Sequence, residues 1–198
     1  MRCTVDSVRI VIVALALVIL PALVSSTRAA VLTVDTVWSG SISLEEDILI
    51  PAGVTLTIAP GTIVSIAEAE STKTDPEYLS PLVEITVRGT LRAAGIAQAP
   101  IIFSSPGRRQ AGAWAGLLID GGDVILDNCR IGDADTAVHL LRGTLTLHAT
   151  VLAGNRYGLV LQEAQSVVHG TANQLTANDY GLVVVAGPPT DVAFASIT

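Results

Sequence analysis

Five aspartates crowd one stretch of this chain: Asp120, Asp123, Asp127, Asp133 and Asp135. Arg130 stands among them and Arg142 follows. Oxygen-rich clusters of this kind suit calcium, which takes about 6–8 oxygen ligands. Asp120-Gly-Gly-Asp123 also offers two carboxylates that could flank one bond as acid and base. A plainer reading competes with both. It makes all five aspartates acidic turn residues with a salt bridge, and Asp120-Gly-Gly-Asp123 a glycine-rich turn that lets the chain double back. No cofactor is expected, and calcium is the single candidate.

The remaining reactive side chains are few. His139, His148 and His169 do not share one column, whereas zinc needs three or four convergent ligands. Alternation with Val138, Leu140, Leu145 and Leu147 points His139 and His148 outward. His148 falls one repeat from Asp127, which allows a surface pair. Cys129, two residues before Ile131, has the inward parity of a small core residue. Tyr157 and Tyr180 occupy equivalent turns, so exposed rings could form a sugar platform. Trp38 and Trp114 are expected to cover the core at a cap and a corner. Neither a phosphate-cradling glycine-rich motif nor an Asn-x-Ser/Thr site occurs.

These side chains need a scaffold, and the first segment is not part of it. Arg2 and Arg9 precede an apolar run from Ile10 to Val24, and small residues follow up to Ala30. A basic start, an apolar middle and a small-residue exit match a secretory signal peptide. The run is shorter than the ~20 residues of a spanning helix. Residues 1–29 are therefore expected to be removed, with cleavage after Ala29. The rest is expected outside the cytoplasm, secreted, periplasmic or on the cell surface, without stable membrane insertion. It would keep Cys129 as its one cysteine, with 17 acidic residues against 8 basic ones. Nucleic-acid binding would need clustered basic residues instead.

From Val31 onward the pattern is short alternating runs such as Val54-Thr-Leu-Thr-Ile58 and Val83-Glu-Ile-Thr-Val87, punctuated by Gly and Pro. This predicts an all-β chain. Three stretches repeat: Leu126–Leu140, Leu147–Leu161 and Leu175–Val184. Ile131, Leu152 and Leu175 correspond, as do Ala134, Asn155 and Asn178, at steps of 21 and 23 residues. A period just above 20 fits one coil of a β-solenoid. Leu126 and Ile131 lie an odd number of residues apart, as do Leu147 and Leu152. For all to be buried, the chain must bend near Asn128 and Ala149. A second bend is expected over Asn155–Gly158, with Gly158 and Gly181 supplying permissive backbone. Asn155 and Asn178 are expected to stack as an amide ladder beside the buried column Ile131, Leu152, Leu175.

The segments Trp38–Val64, Ile85–Gly95, Ala99–Ser104 and Trp114–Ile119 resemble rungs of right-handed parallel β-helix proteins, the pectin-lyase-like superfold. The Asn-x-x-Gly-Leu pattern at Asn155 and Asn178 resembles its coil repeat. The resemblance spans nearly all of residues 31–198. It implies a right-handed parallel β-helix with coils of about 21–23 residues. It does not imply one function, because lyases, hydrolases, adhesins and inert surface proteins share the fold.

Members that cleave pectate hold calcium on several carboxylates beside an arginine base, a role that would fall to Arg130 or Arg142. Here Asp133 and Asp135 have no carboxylate counterpart in the next coil, where Gly154 and Arg156 stand. Members that hydrolyse polygalacturonate carry an Asp pair, a Gly-His-Gly and an Arg-x-Lys. This chain has only Val168-His-Gly170 and no Arg-x-Lys. The expectation is an exported structural, surface or carbohydrate-contacting β-helix with polysaccharide as partner. A lyase or hydrolase of acidic polysaccharide, or a protein-binding module, is the alternative. Polar segments at Ala67–Pro81 and Pro106–Gly112 interrupt the coils. The final segment places Ile197 in the buried column without a closing cap. A longer β-helix, or self-association through an open last coil, is expected.

Overall fold

Every coil of this chain turns three times, and the strand order follows from that. A computed structural model describes residues 31–72, 80–107, 110–163, 166–186 and 190–197. The expected leader and its expected cleavage site fall outside the described residues, as do Lys73, Arg108 and Arg109. The first coil runs β1 (Thr36–Trp38), β2 (Ser41–Leu44) and β3 (Ile48–Ile50). The second runs β4 (Thr55–Ile58), β5 (Ile63–Ile66) and, after the polar segment, β6 (Glu84–Val87). Then come β7 (Thr90–Ala94), β8 (Ile101–Ser104) and β9 (Trp114–Asp127), which bends round a corner into the fourth coil. That coil continues through β10 (Cys129–Ile131) into β11 (Ala134–His148), which bends likewise. β12 (Val151–Ala153), β13 (Tyr157–Leu161), β14 (Val167–Thr176), β15 (Tyr180–Val184) and β16 (Thr190–Ile197) complete the winding.

All strand pairs are parallel, and each strand pairs with its equivalents one coil before and after. Face I holds β1, β4, β7, the second halves of β9 and β11, and the starts of β14 and β16. Face II holds β2, β5, β8, β10, β12 and the ends of β14 and β16. Face III holds β3, β6, the first halves of β9 and β11, β13 and β15. The molecule is a right-handed parallel β-helix, all strand and turn. Among the described residues no helix is long and apolar enough to cross a membrane.

The core is made of columns. On face II, Ile42, Val64, Phe103, Ile131, Leu152, Leu175 and Ile197 stack in register. All but Ile197 are buried. Parallel pairing sets equivalent side chains about 4.8 Å apart, so an apolar position in one coil is covered by its neighbours.

The corners explain the repeat. Asn128, Ala149 and Ala172 have φ of 47°, 46° and 59°, at the bend from face I to face II. The predicted bends at Asn128 and Ala149 are therefore present. The next corner differs from expectation. Its left-handed residues are Asp133, Gly154 and Ala177, at 65°, 72° and 53°, each just before the ladder position. Gly158 and Gly181 do not turn the chain. Gly158 is glycine because a Cβ there would stand 2.6 Å from the Gly181 carbonyl oxygen.

The amide ladder forms as expected. Asn155 Oδ1 accepts from the Ala134 N–H at 3.0 Å, and its Nδ2 donates to the Ile131 carbonyl and to Asn178 Oδ1. Asn178 Nδ2 donates to the Leu152 carbonyl at 2.9 Å. A second ladder, unforeseen, fills the preceding corner. Asn173 Oδ1 accepts from the Thr150 N–H, and the Thr150 hydroxyl accepts from the Cys129 N–H.

Leu152 has equivalents above and below, so truncation leaves a cavity that neither neighbour can fill. Leu152→Ala should cost about 3 kcal/mol in denaturant unfolding. Leu152→Asp should unfold several coils together, since it buries an unpartnered charge. A Leu152→Asp protein with unchanged melting would show the register to be wrong.

Candidate functional site

The five aspartates do not converge. Asp120 lies at the corner from face III to face I, 3% exposed. Its Oδ2 accepts from Arg88 Nε at 2.8 Å, and its Oδ1 stands 2.6 Å from Arg142 Nη2. The latter contact is close but poorly aligned, so charge rather than a directed hydrogen bond holds it. Asp120 is more than a turn residue with one salt bridge: it is the buried anion of an ion-paired triad spanning three coils. Asp123 begins the next face and is exposed. Asp127 ends that face and accepts from Asn128 Nδ2. Asp133, buried, accepts from the Ser105 N–H at 3.2 Å. Asp135 pairs with Arg156 at 3.2 Å. Arg130 is exposed on face II, away from Asp120. The density that reads as one cluster is thus distributed round three corners. Among the described residues no group of three or more His, Cys, Asp or Glu is placed to hold a metal ion.

The other candidates also resolve into local roles. His148 Nδ1 bonds the Thr171 hydroxyl at 2.8 Å, so the expected pair with Asp127 gives way to a partner one coil further on. The Cys129 thiol is buried, and burial with the nearby Asp127 charge pushes it up to about 12. It is a protonated core residue, not a nucleophile. Trp38 and Trp114 are buried, and Trp114 Nε1 donates to the Gly132 carbonyl at 2.9 Å.

A groove of about 540 Å³ opens on face III. Its floor is the outer side of β9, where Gly116 and Leu118 alternate with inward Leu117 and Ile119. Gly116 has φ 121°, and a Cβ there would stand 1.6 Å from the Thr136 carbonyl oxygen, so no side chain fits. One wall carries Glu84, and the other carries Asp135, Thr136, His139 and Arg156. Ser80, Pro81 and Leu82 close the side.

That closing segment is clasped from beneath. Asp47 is a buried carboxylate that accepts from the Glu84 N–H at 2.7 Å and from the Ser71 hydroxyl. The Asp47 N–H donates to Thr72 Oγ1. Glu70 and Leu82 form an antiparallel bridge across the base of the insertion.

Across the groove, His139 Nε2 bonds Gln162 Oε1 at 2.8 Å. Burial lowers its pKa, and the Gln162 bond only partly offsets this. The Thr136 row continues through Tyr157 to Tyr180, whose rings stack with centroids 5.0 Å apart. The Arg156 guanidinium lies 5.2 Å from the Tyr157 ring centre. The Asp135 hydrogen bond raises the Arg156 pKa, so it stays charged.

Glu84, Gly116 and Leu118 were missed in the sequence because the insertion before β6 breaks the period. The usable signal is the likeness of Ile85-Thr-Val87 to Ile48-Leu-Ile50, which pair in register. A second groove, of about 580 Å³, lies on face II near Arg130. Asp133 and Asn155 there are already committed to backbone groups.

Three parallel sheets on one core, joined by side-chain ladders at their corners, define the class of parallel β-helix solenoids. The model of the pectate-lyase-like β-helix domain family matches residues 30–139, and the chain belongs to that family. The coils continue in register beyond residue 139. No curated protein and no solved structure matches the chain.

Asp120 is the shared anion of two partly exposed arginines, so its charge is worth less than in a sealed triad. Asp120→Asn should cost about 2 kcal/mol, below the ~3–5 of a fully buried pair. Asp123→Asn should change stability by less than about 0.5 kcal/mol. Equal effects in thermal unfolding would contradict the assignment.

Proposed function

We propose that this chain is an exported, carbohydrate-contacting β-helix module without a catalytic site, and that the face III groove is its contact surface. The observation that carries the reading is the row Thr136, Tyr157, Tyr180 beside the groove, with two stacked rings and Tyr180 largely exposed. Aromatic rings pack against the apolar faces of sugars while their hydroxyls hydrogen-bond. Arg2, Arg9 and the apolar run to Val24 support export. The stretch Asp120–Asp135 lends no support to a calcium-assisted lyase, because its carboxylates point to separate corners.

The protein without residues 1–29 should bind plant or microbial cell-wall polysaccharide in pull-down assays. Tyr157→Ala with Tyr180→Ala should weaken that binding about tenfold without lowering the melting temperature appreciably. Release of reducing sugar or unsaturated uronide ends from pectate, with or without calcium, would overturn the non-catalytic part.

Self-association is part of the same proposal. Leu182 and Val184 pair with the buried Leu159 and Leu161, and Ile197 with the buried Leu175, yet all three are exposed. Such an edge favours pairing, whether with a second molecule or with further coils of the same kind. Sedimentation should show a concentration-dependent rise in mass that Leu182→Lys with Val184→Lys abolishes. A sharp monomer at high concentration would remove this part.

A further inference from the structure

We propose that Tyr157 and Tyr180 are a site of oxidative crosslinking, at which a peroxidase using hydrogen peroxide joins the two rings as dityrosine and fastens neighbouring coils to each other. Nothing in this requires a bound sugar.

The two tyrosines occupy paired positions on β13 and β15, so each coil presents its ring at the same place. Their ring centroids lie 5.0 Å apart and their planes differ by 15°. Arg156, bonded to Asp135, lies 5.2 Å from the centre of the Tyr157 ring and helps to hold it. Parallel pairing fixes the backbones about 4.8 Å apart. Rotation about the side-chain bonds therefore brings together the ring carbons beside the two hydroxyls. Such a pre-set encounter is worth many orders of magnitude in effective concentration over a meeting of two separate chains.

Exposure makes the pair selective. Tyr180 is 55% exposed and Tyr157 is half-buried, so an oxidant reaches both. Among the described residues the other readily oxidised side chains, Cys129, Trp38 and Trp114, are buried. The bond would fasten β15 where its Leu182 and Val184 are exposed and its apolar packing is incomplete.

Each phenol gives one electron and its hydroxyl proton to the peroxidase, leaving a tyrosyl radical. The two radicals form one carbon–carbon bond between the positions beside the hydroxyls. Those carbons then release their hydrogens as protons while the oxygens regain theirs. In sum, two C–H bonds are replaced by one C–C bond. The two electrons and two protons cleave the O–O bond of one hydrogen peroxide and yield two waters.

The test is treatment of the purified protein with a plant peroxidase and hydrogen peroxide. Dityrosine fluorescence should appear in a band that still runs as a single chain. Cleavage after Glu163 should leave the peptides bearing Tyr157 and Tyr180 joined, lighter by two hydrogen atoms than their sum. Tyr157→Phe and Tyr180→Phe, which keep both rings, should each lower the single-chain fluorescence about tenfold or more. Tyr78→Phe should leave it unchanged. The crosslinked protein should melt several degrees higher, because a bond spanning one coil of chain restricts the unfolded ensemble. Dityrosine formed only between chains, undiminished in Tyr180→Phe, or absent while free tyrosine in the same mixture couples, overturns the proposal. So does a crosslinked protein that melts no higher.

Discussion

Burying three bends per coil without orphaning backbone amides is the constraint on which this molecule depends. Strands satisfy their own peptide groups by pairing with the coils above and below. Two of the three corners interrupt that pairing while keeping the peptide groups out of water, where an unmet donor costs about 1–3 kcal/mol. Here the missing partners come from side chains. Asn155 and Asn178 serve one corner, and Thr150 and Asn173 the one before it. Each reaches across a strand spacing to a neighbouring coil, so the bend of one coil is completed by the next. Left-handed residues set the direction of each turn, and inward polar side chains stop it from being costly. Coils related in this way cannot fold singly.

The same constraint divides the surface from the core. Inward positions and corners are bound to repeat, because each is paired with its own equivalent. Outward positions are free to differ, and they do. Face III carries Glu84, Thr86, Leu118, Thr136, His139 and Tyr157 on strands whose inward side chains, Trp114 apart, are aliphatic. A groove results because Gly116 removes one side chain from this surface and the segment ahead of β6 builds a wall beside it. Asp47 bonds residues on both sides of that segment, Ser71 and Thr72 before it and Glu84 after it.

Charge placement follows the winding. The aspartates between Asp120 and Asp135 are neighbours in sequence, but each few residues of a three-cornered coil face a new direction. Two of them are buried and structural, at different corners. Arg88 and Arg142, far from each other in sequence, meet at Asp120 because each coil, whatever its length, returns the same corner to the same place.

Sequence alone determined the all-strand character, the coil period, the asparagine ladder and the column of Ile131, Leu152 and Leu175. These are consequences of equivalence between coils, and equivalence is visible as repetition. It also showed the Tyr157 and Tyr180 stack, for the same reason. Tertiary structure decided what repetition does not carry. Gly158 was expected to turn the chain, whereas it yields space to the next coil, a contact that exists only once coils are stacked. The aspartate cluster dissolved because proximity along a chain says nothing of direction once it bends every five or so residues. The groove itself joins β6, β9 and β11 across an insertion that broke the period. Its residues share no spacing, only a face.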